Sequence, residues 1–159
     1  MKRLFLGLLL ATVTTVGASA QQVFLEMRNK AQAIVSNPST AVMVRQLNQF
    51  KVDALNYMGM KMKEEMPDSS AAFLDRQAYA MHAFLTHYMQ TLLAHRTAPQ
   101  KVQVEYIRHF VDASISNPLF RDSDHELVLA YYADGNSLTR FSLDTDWQRA
   151  LLAVSTEKK

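Results

Sequence analysis

Three methionines lie at helical spacing in a stretch that could bind a soft metal ion. Met58, Met62 and Met66 are four residues apart, so one face of a helix would carry all three thioethers. Thioether sulfur suits Cu(I). Methionine also fills irregular gaps in hydrophobic cores, and no nearby histidine completes a ligand set. We therefore predict a packing role for these residues and keep a Cu(I) site as the alternative.

The histidines do not show the spacing of a helical zinc site. Such a site uses two histidines at positions i and i+4. His82 and His87 are five residues apart, which places them about 140° from each other around a helix. We expect structural histidines and predict no metal ligand among them.

Acidic residues occur in two clusters, Asp122 with Asp124 and Glu126, and Asp144 with Asp146. The first cluster begins like a calcium-binding loop, but Leu127 occupies the position where such a loop needs glycine. Acidic residues also stabilise the N-terminus of a helix, and we expect that role here. Paired carboxylates could hydrolyse glycosides, but nothing in the sequence places these residues in a cleft.

The remaining sequence signatures of catalysis are absent. No G-x-S-x-G motif and no phosphate-binding glycine loop occurs, and the chain has no cysteine. We therefore predict no catalytic residue and no cofactor.

These residues would be positioned by a set of long helices. The strongest helical pattern runs over residues 71–95, without glycine or proline, and its apolar residues are Leu74, Ala78, Met81, Leu85, Tyr88 and Leu92. An apolar stripe of this width predicts a central helix with neighbours on more than one side. Further helices are predicted over 21–37, 40–65 and 99–116.

The short connections between these helices predict an all-α, up-down-up-down four-helix bundle. Proline ends the first helix at Pro38 and the fourth at Pro118, because the residue before a proline is disfavoured in helical conformation. Thr97 and Gln100 match a capping box at the start of the fourth helix.

The region after Pro118 predicts a small C-terminal helical subdomain laid on the bundle. Ser123 and Glu126 match a capping box for a short helix that ends at Gly135. A β-hairpin over 128–143, with its turn at 134–136, remains open as the alternative. The last helix is predicted to start near Thr145, with Gln148 as its box partner.

Two aromatic residues of this C-terminal region are candidates for partner binding. Phe141 and Trp147 flank the start of the last helix, and Trp147 is the only tryptophan. A short terminal helix needs an apolar anchor, so we expect the indole to hold the helix on the bundle near 117–120. Alternatively, both rings are exposed as a binding hot spot.

The first twenty residues have the features of a secretory signal peptide. Lys2 and Arg3 precede an apolar run, and Ala18, Ser19 and Ala20 form a small-residue cleavage site. We expect residues 21–159 to form a single helical domain that is periplasmic or secreted.

The predicted mature chain is formally neutral. Without Lys2 and Arg3, 17 − 2 = 15 basic residues balance 15 acidic ones. This balance predicts no nucleic-acid partner, and no stable membrane insertion is expected after cleavage.

Three stretches carry a resemblance to a known group of proteins. They are Asn117-Pro118-Leu119-Phe120-Arg121-Asp122, Phe141-Ser142-Leu143-Asp144-Thr145-Asp146-Trp147, and Ala18-Ser19-Ala20 before Gln21-Gln22. The chain resembles small exported all-helical proteins of unknown function from Bacteroidetes, mainly over residues 113–152. The resemblance implies an exported location and no particular activity.

Together these observations predict an exported, non-catalytic helical domain with a protein partner or an envelope-associated role. The alternative is a periplasmic Cu(I)-binding protein that uses methionine and histidine.

Overall fold

The computed structural model describes residues 22–68 and 71–156, so the predicted signal peptide lies outside the described residues. The helices are α1 (Gln22–Ser36), α2 (Val42–Glu65), α3 (Ala71–Ala94), α4 (Gln100–Ile115), α5 (His125–Val128), α6 (Ala130–Ala133) and α7 (Trp147–Thr156). No strand occurs in the described ranges. The predicted all-α bundle with a small helical C-terminal part is thus confirmed. In the same ranges, no helix is both long and apolar enough to cross a membrane.

The long helices alternate in direction, as their short connections require. The backbone N–H of Phe24, at the start of α1, donates to Asp75 near the start of α3 at 2.9 Å. The ring of Phe24 also lies against Gly59 in the second half of α2, where a Cβ would meet the ring at 3.3 Å. The starts of α1 and α3 and the end of α2 therefore share one half of the bundle.

The C-terminal segment enters the core of the bundle, whereas the sequence predicted a subdomain laid on its surface. Phe141 and Trp147 are fully buried. Both rings pack edge-to-face on Phe50 of α2, with centroids 5.7 and 5.9 Å away. Both also pack on Phe84 of α3, at 5.3 and 5.4 Å. The backbones of α2 and α3 approach each other closely at few positions, and these two rings lie between the helices, in contact with both.

The helix that was predicted before Gly135 consists of two short helices, α5 and α6, and the alternative hairpin does not form. Asp124 is the N-cap residue of α5 and accepts the Leu127 N–H at 2.9 Å. The predicted capping box had Ser123 at this N-cap position. The Tyr131 hydroxyl donates to Asp53 of α2 and holds α6 on the bundle. Residues 137–146 follow as irregular chain.

Two other predicted capping boxes are replaced by different contacts. At α4 the N-cap is Pro99 with no side-chain cap, and α4 begins at the predicted box partner Gln100.

At α7 the Trp147 N–H donates to Gln77 of α3 at 2.8 Å. The hydroxyl of Thr145, the predicted N-cap of α7, donates to the Ser142 carbonyl at 2.7 Å. The start of α7 is therefore held by Gln77 from α3 together with the adjacent Asp146, which accepts the Arg149 N–H at 3.3 Å.

Tyr88 holds the irregular segment from the other side. Its hydroxyl donates to the carbonyl of Leu138 at 2.9 Å. Burial raises the pKa of Tyr88 to about 12, although the charge of Arg140 opposes this shift. The phenol therefore stays protonated and keeps its donor role across the physiological pH range.

We expect Trp147→Ala to lower the free energy of unfolding by about 3–5 kcal/mol, because it removes a fully buried indole from the joint between α2 and α3. Urea unfolding followed by circular dichroism measures this. The control is Leu152→Ala on the same helix, where the side chain is 62% exposed and the change should stay within about 0.5 kcal/mol. Equal effects of the two substitutions would contradict the anchoring role.

Candidate functional site

The buried carboxylate of Asp144 organises the loop that follows α4. Its Oδ1 accepts the backbone N–H groups of Leu119 at 3.0 Å and Phe120 at 2.7 Å. Its Oδ2 accepts the N–H of Asp122 at 2.9 Å. The carboxylate is 3% exposed, and hydrogen bonds from several N–H groups are what a buried acidic group needs. Asp144 is thus committed to holding the loop.

The loop closes around Asp144 through one unusual backbone conformation. Arg121 has φ 56°, in the left-handed region that is uncommon for residues other than glycine. A left-handed residue between Phe120 and Asp122 lets both neighbouring N–H groups point to the same side, as in anion-binding backbone nests. Here the bound anion is a side chain of the same protein.

A small buried network continues from Asp144 towards α4. The Ser114 hydroxyl accepts the Ser142 N–H at 3.0 Å and lies 2.8 Å from the Thr145 hydroxyl. The Asp144 N–H donates to the Ser142 hydroxyl at 3.1 Å. Ser114 and Thr145 are fully buried. These contacts hold the segment before α7 against the last turns of α4.

Asp122 also has a structural role. Its Oδ2 accepts the Tyr57 hydroxyl at 3.0 Å and lies 3.1 Å from the Lys61 ammonium. Its Oδ1 accepts the Asp124 N–H at 3.0 Å. The Asp124 N–H and then the Lys61 ammonium hold the pKa of Asp122 below its ordinary value, while burial opposes them.

The remaining acidic residues considered for chemistry do not meet in a cleft. Asp146 accepts the Gln77 amide at 3.0 Å and the Arg149 N–H at 3.3 Å, which secures the first turn of α7. Asp124 caps α5, and Glu126 follows in its first turn. The capping role predicted for Asp124 is thus confirmed.

A groove of about 380 Å³ lies between α3, α4 and α7. Its wall is formed by His87, Thr91, His95, Val102, Glu105, Tyr106, His109, Phe110 and Val154. This volume is near the lower limit for small-ligand pockets and would also accommodate one or two side chains of a partner. We call this surface the imidazole groove.

Three imidazole rings line the groove, each packed against an aromatic ring. His95 stacks on Tyr106 with centroids 4.0 Å apart, and its Nδ1 lies 2.9 Å from the Thr91 carbonyl. His87 and His109 meet Phe110 edge-on at 5.2 and 5.9 Å. The groove thus combines an apolar floor with polar ring nitrogens, which suits an amphipathic group.

The described residues contain no group of three or more histidine, cysteine, aspartate or glutamate side chains that could hold a metal ion. Nor does the fold bring His82 and His87 to one site. His87 lines the groove. The pKa of His82 is lowered by partial burial and then by the positive charge of Lys51 on α2.

The methionines and the two aromatic candidates lie in or near the core. Met58 is fully buried and Met62 is 4% exposed, whereas Met66, just after α2, is 39% exposed. The Cu(I) hypothesis stays a prediction, with two of its three sulfur atoms inside the hydrophobic cluster. Phe141 and Trp147 are both fully buried, so neither ring is presented to a partner, and the anchoring role expected for Trp147 agrees with this placement.

The imidazole groove was not predicted from the sequence, although a signal for it exists. His87, Thr91 and His95 follow one another at intervals of four along α3, so they lie on neighbouring parts of one helix face. Zinc-pair spacing does not reveal this face, because His87 and His95 are eight residues apart and not four. Pairing that face with Tyr106 and His109 of α4 requires the fold.

Comparison with known proteins gives no further assignment. The sequence matches no protein-family profile, and neither the curated proteins nor the solved structures give a significant match. The resemblance to exported Bacteroidetes proteins therefore stays a prediction.

We expect Asp144→Asn to lower the free energy of unfolding by about 1–3 kcal/mol, because the amide nitrogen cannot accept the hydrogen bonds that one carboxylate oxygen accepts. Urea unfolding measures the change. Asp112→Asn is the control, since that side chain is 62% exposed on α4 and should change stability little. An Asp144→Asn protein as stable as this control would remove the carboxylate from its organising role.

The stabilising effect of Asp122 should depend on pH. Its folded pKa lies below the ordinary value of 3.8, so the ionised form stabilises the fold, and this contribution disappears as the pH falls through the folded pKa. Asp122→Asn should therefore destabilise the protein near pH 7, and the difference from the wild type should shrink by about pH 3. Urea midpoints at both pH values measure this, and a constant difference would contradict it.

Proposed function

We propose that this chain is an exported, non-catalytic helical domain that binds a protein partner at the cell envelope through the imidazole groove. The observation that carries the proposal is the groove itself, which places aromatic and imidazole rings on a concave surface between α3, α4 and α7. Partner surfaces favour such a combination of apolar contact area and a few polar groups.

The structural roles of the acidic residues support a non-catalytic function. Asp144 accepts three backbone N–H groups. Asp122 pairs with Lys61, and Asp146 secures α7. A catalytic acid or base must be free to exchange a proton with a substrate, whereas these three carboxylates are bound to the protein's own groups.

The proposed location rests on the sequence of residues 1–20. A basic start, an apolar run and a small-residue cleavage site are the three parts of a signal peptide. In the native host, the protein recovered from the envelope or the medium should have the intact mass of a chain that begins at Gln21. A chain that retains Leu4 in the mature form would contradict export by signal cleavage.

Site-specific photocrosslinking in the native host tests the groove. A photoreactive phenylalanine analogue is placed at Glu105, which lines the groove, and in a matched chain at Tyr79, which is 57% exposed on α3 and outside it. We expect the Glu105 probe to give one discrete protein adduct, identified by mass spectrometry, that the Tyr79 probe does not give. The same adducts from both positions, or none from Glu105, would contradict the proposal.

A further inference from the structure

The acidic residues of this chain are unevenly distributed along the sequence. No aspartate or glutamate occurs in residues 27–52 or in residues 76–104. The first range covers most of α1 and the first half of α2, and the second covers most of α3 and the start of α4. Net charge alone does not reveal this, because the chain as a whole is close to neutral, with a formal charge of +2.

The fold brings the turns within these two acid-free ranges to one end of the bundle. The starts of α1 and α3 lie side by side, where Phe24 bonds to Asp75. The α1–α2 turn and the α3–α4 turn therefore both lie towards the opposite end. We call residues 36–47 and 90–104 the basic end; its cationic residues are Arg45, Arg96 and Lys101.

The basic end also carries large exposed apolar side chains. Val42, Met43 and Val44 are 59%, 55% and 44% exposed, and they are the first three residues of α2. Because successive helical residues point about 100° apart, exposure of all three means that most of the circumference of this turn is uncovered. Leu93 and Val104 are 61% and 53% exposed near the other turn.

Arg45 places a positive charge beside this apolar turn. Its Nε is buried and has no hydrogen-bond acceptor within the described part of the chain. Arg45 lines a shallow depression of about 280 Å³ together with Val35, Val42, Gln46 and Gln49. The buried Nε has no surface open to a ligand, so Arg45 contributes its positive charge to this surface and the depression contributes apolar area.

We propose that the basic end docks on the surface of an anionic phospholipid bilayer. The cations lie near the headgroup phosphates, and Val42 and Met43 enter the boundary between headgroups and acyl chains. Interfacial binding combines these two contributions, apolar burial and attraction to anionic lipid. A nucleic acid would use the cations but would gain little from the exposed valine and methionine, and a bilayer uses both. The proposal rests on the cations and the exposed apolar residues of the basic end, although that end shares Thr91, His95 and Val102 with the imidazole groove.

Vesicle sedimentation tests the electrostatic part, using the chain from Gln21 onwards and phosphatidylglycerol-containing or pure phosphatidylcholine vesicles. Binding should require the anionic lipid and weaken as salt is raised. The double substitution Arg96→Gln/Lys101→Gln should reduce the vesicle affinity about 25-fold, at roughly five-fold for each cation. Lys63→Gln in the other half of α2 is the control and should leave the affinity unchanged.

A fluorescent label tests the apolar part, and the absence of native cysteine allows labelling at one position. Met43→Cys and Met60→Cys place an environment-sensitive dye at two positions on α2 with similar exposure, 55% and 45%. Anionic vesicles should shift the emission to the blue for the Met43→Cys protein and leave that of the Met60→Cys protein unchanged.

Three outcomes would overturn the proposal. They are equal binding to neutral and anionic vesicles, an unchanged affinity after Arg96→Gln/Lys101→Gln, and the same emission shift at both labelled positions. Binding to DNA in place of vesicles, with the same dependence on Arg96 and Lys101, would also reject the bilayer and assign the cations to a polyanion. Crosslinking at Glu105 reports on the groove separately.

Discussion

The carboxylate of Asp144 accepts three backbone N–H groups from the loop after α4, and the position of the whole C-terminal segment depends on this interaction. A carboxylate removed from water needs such donors, and N–H groups of an irregular loop need acceptors. Each side of the interaction therefore satisfies the other. With Asp144 fixed, Phe141 and Trp147 on either side of it are directed between α2 and α3.

The polar groups around Asp144 make this arrangement specific. Gln77 bonds both to the Trp147 N–H and to the Asp146 carboxylate, while Ser114 bonds to Ser142 and Thr145. Aromatic rings alone could pack in several ways, because hydrophobic contacts have little directionality. Buried hydrogen bonds have strict geometry, and any other packing would leave some of these groups without a partner.

The long helices could be predicted from the sequence because their determinants are local. The apolar spacing around Leu85 and the proline that follows α1 act within a few residues, and the predicted bounds of α3 agree with the structure within one residue. The start of α7 could not be predicted in the same way. Asp146 caps α7 locally, as acidic residues at a helix start are expected to do. The Trp147 N–H, however, is bound by Gln77, seventy residues earlier in the chain, and the predicted cap Thr145 bonds elsewhere.

The candidate site was less predictable than the fold for a similar reason. The groove needs one face of α3 and one face of α4, and neither face is unusual on its own. Likewise, the spacing of Met58 could not show that its side chain is fully buried, because a thioether at helical spacing serves equally well in a core and as a ligand. The left-handed conformation of Arg121 could not be predicted from its residue type. It occurs where the N–H groups of the residues before and after it both bond to Asp144, which comes later in the sequence.

The insertion of Phe141 and Trp147 between α2 and α3 has a consequence for the order of assembly. During synthesis, α2 and α3 appear long before the two rings that join them, and the backbones of these helices approach each other closely at few positions. Contacts between residues so far apart in sequence form late and slowly. The N-terminal helices, of which α1 and α2 contact each other extensively, therefore lack these two core rings until the final third of the chain has been made. The core of the bundle is complete only when these last residues have arrived, so a chain shortened before Phe141 should lack the packing between α2 and α3.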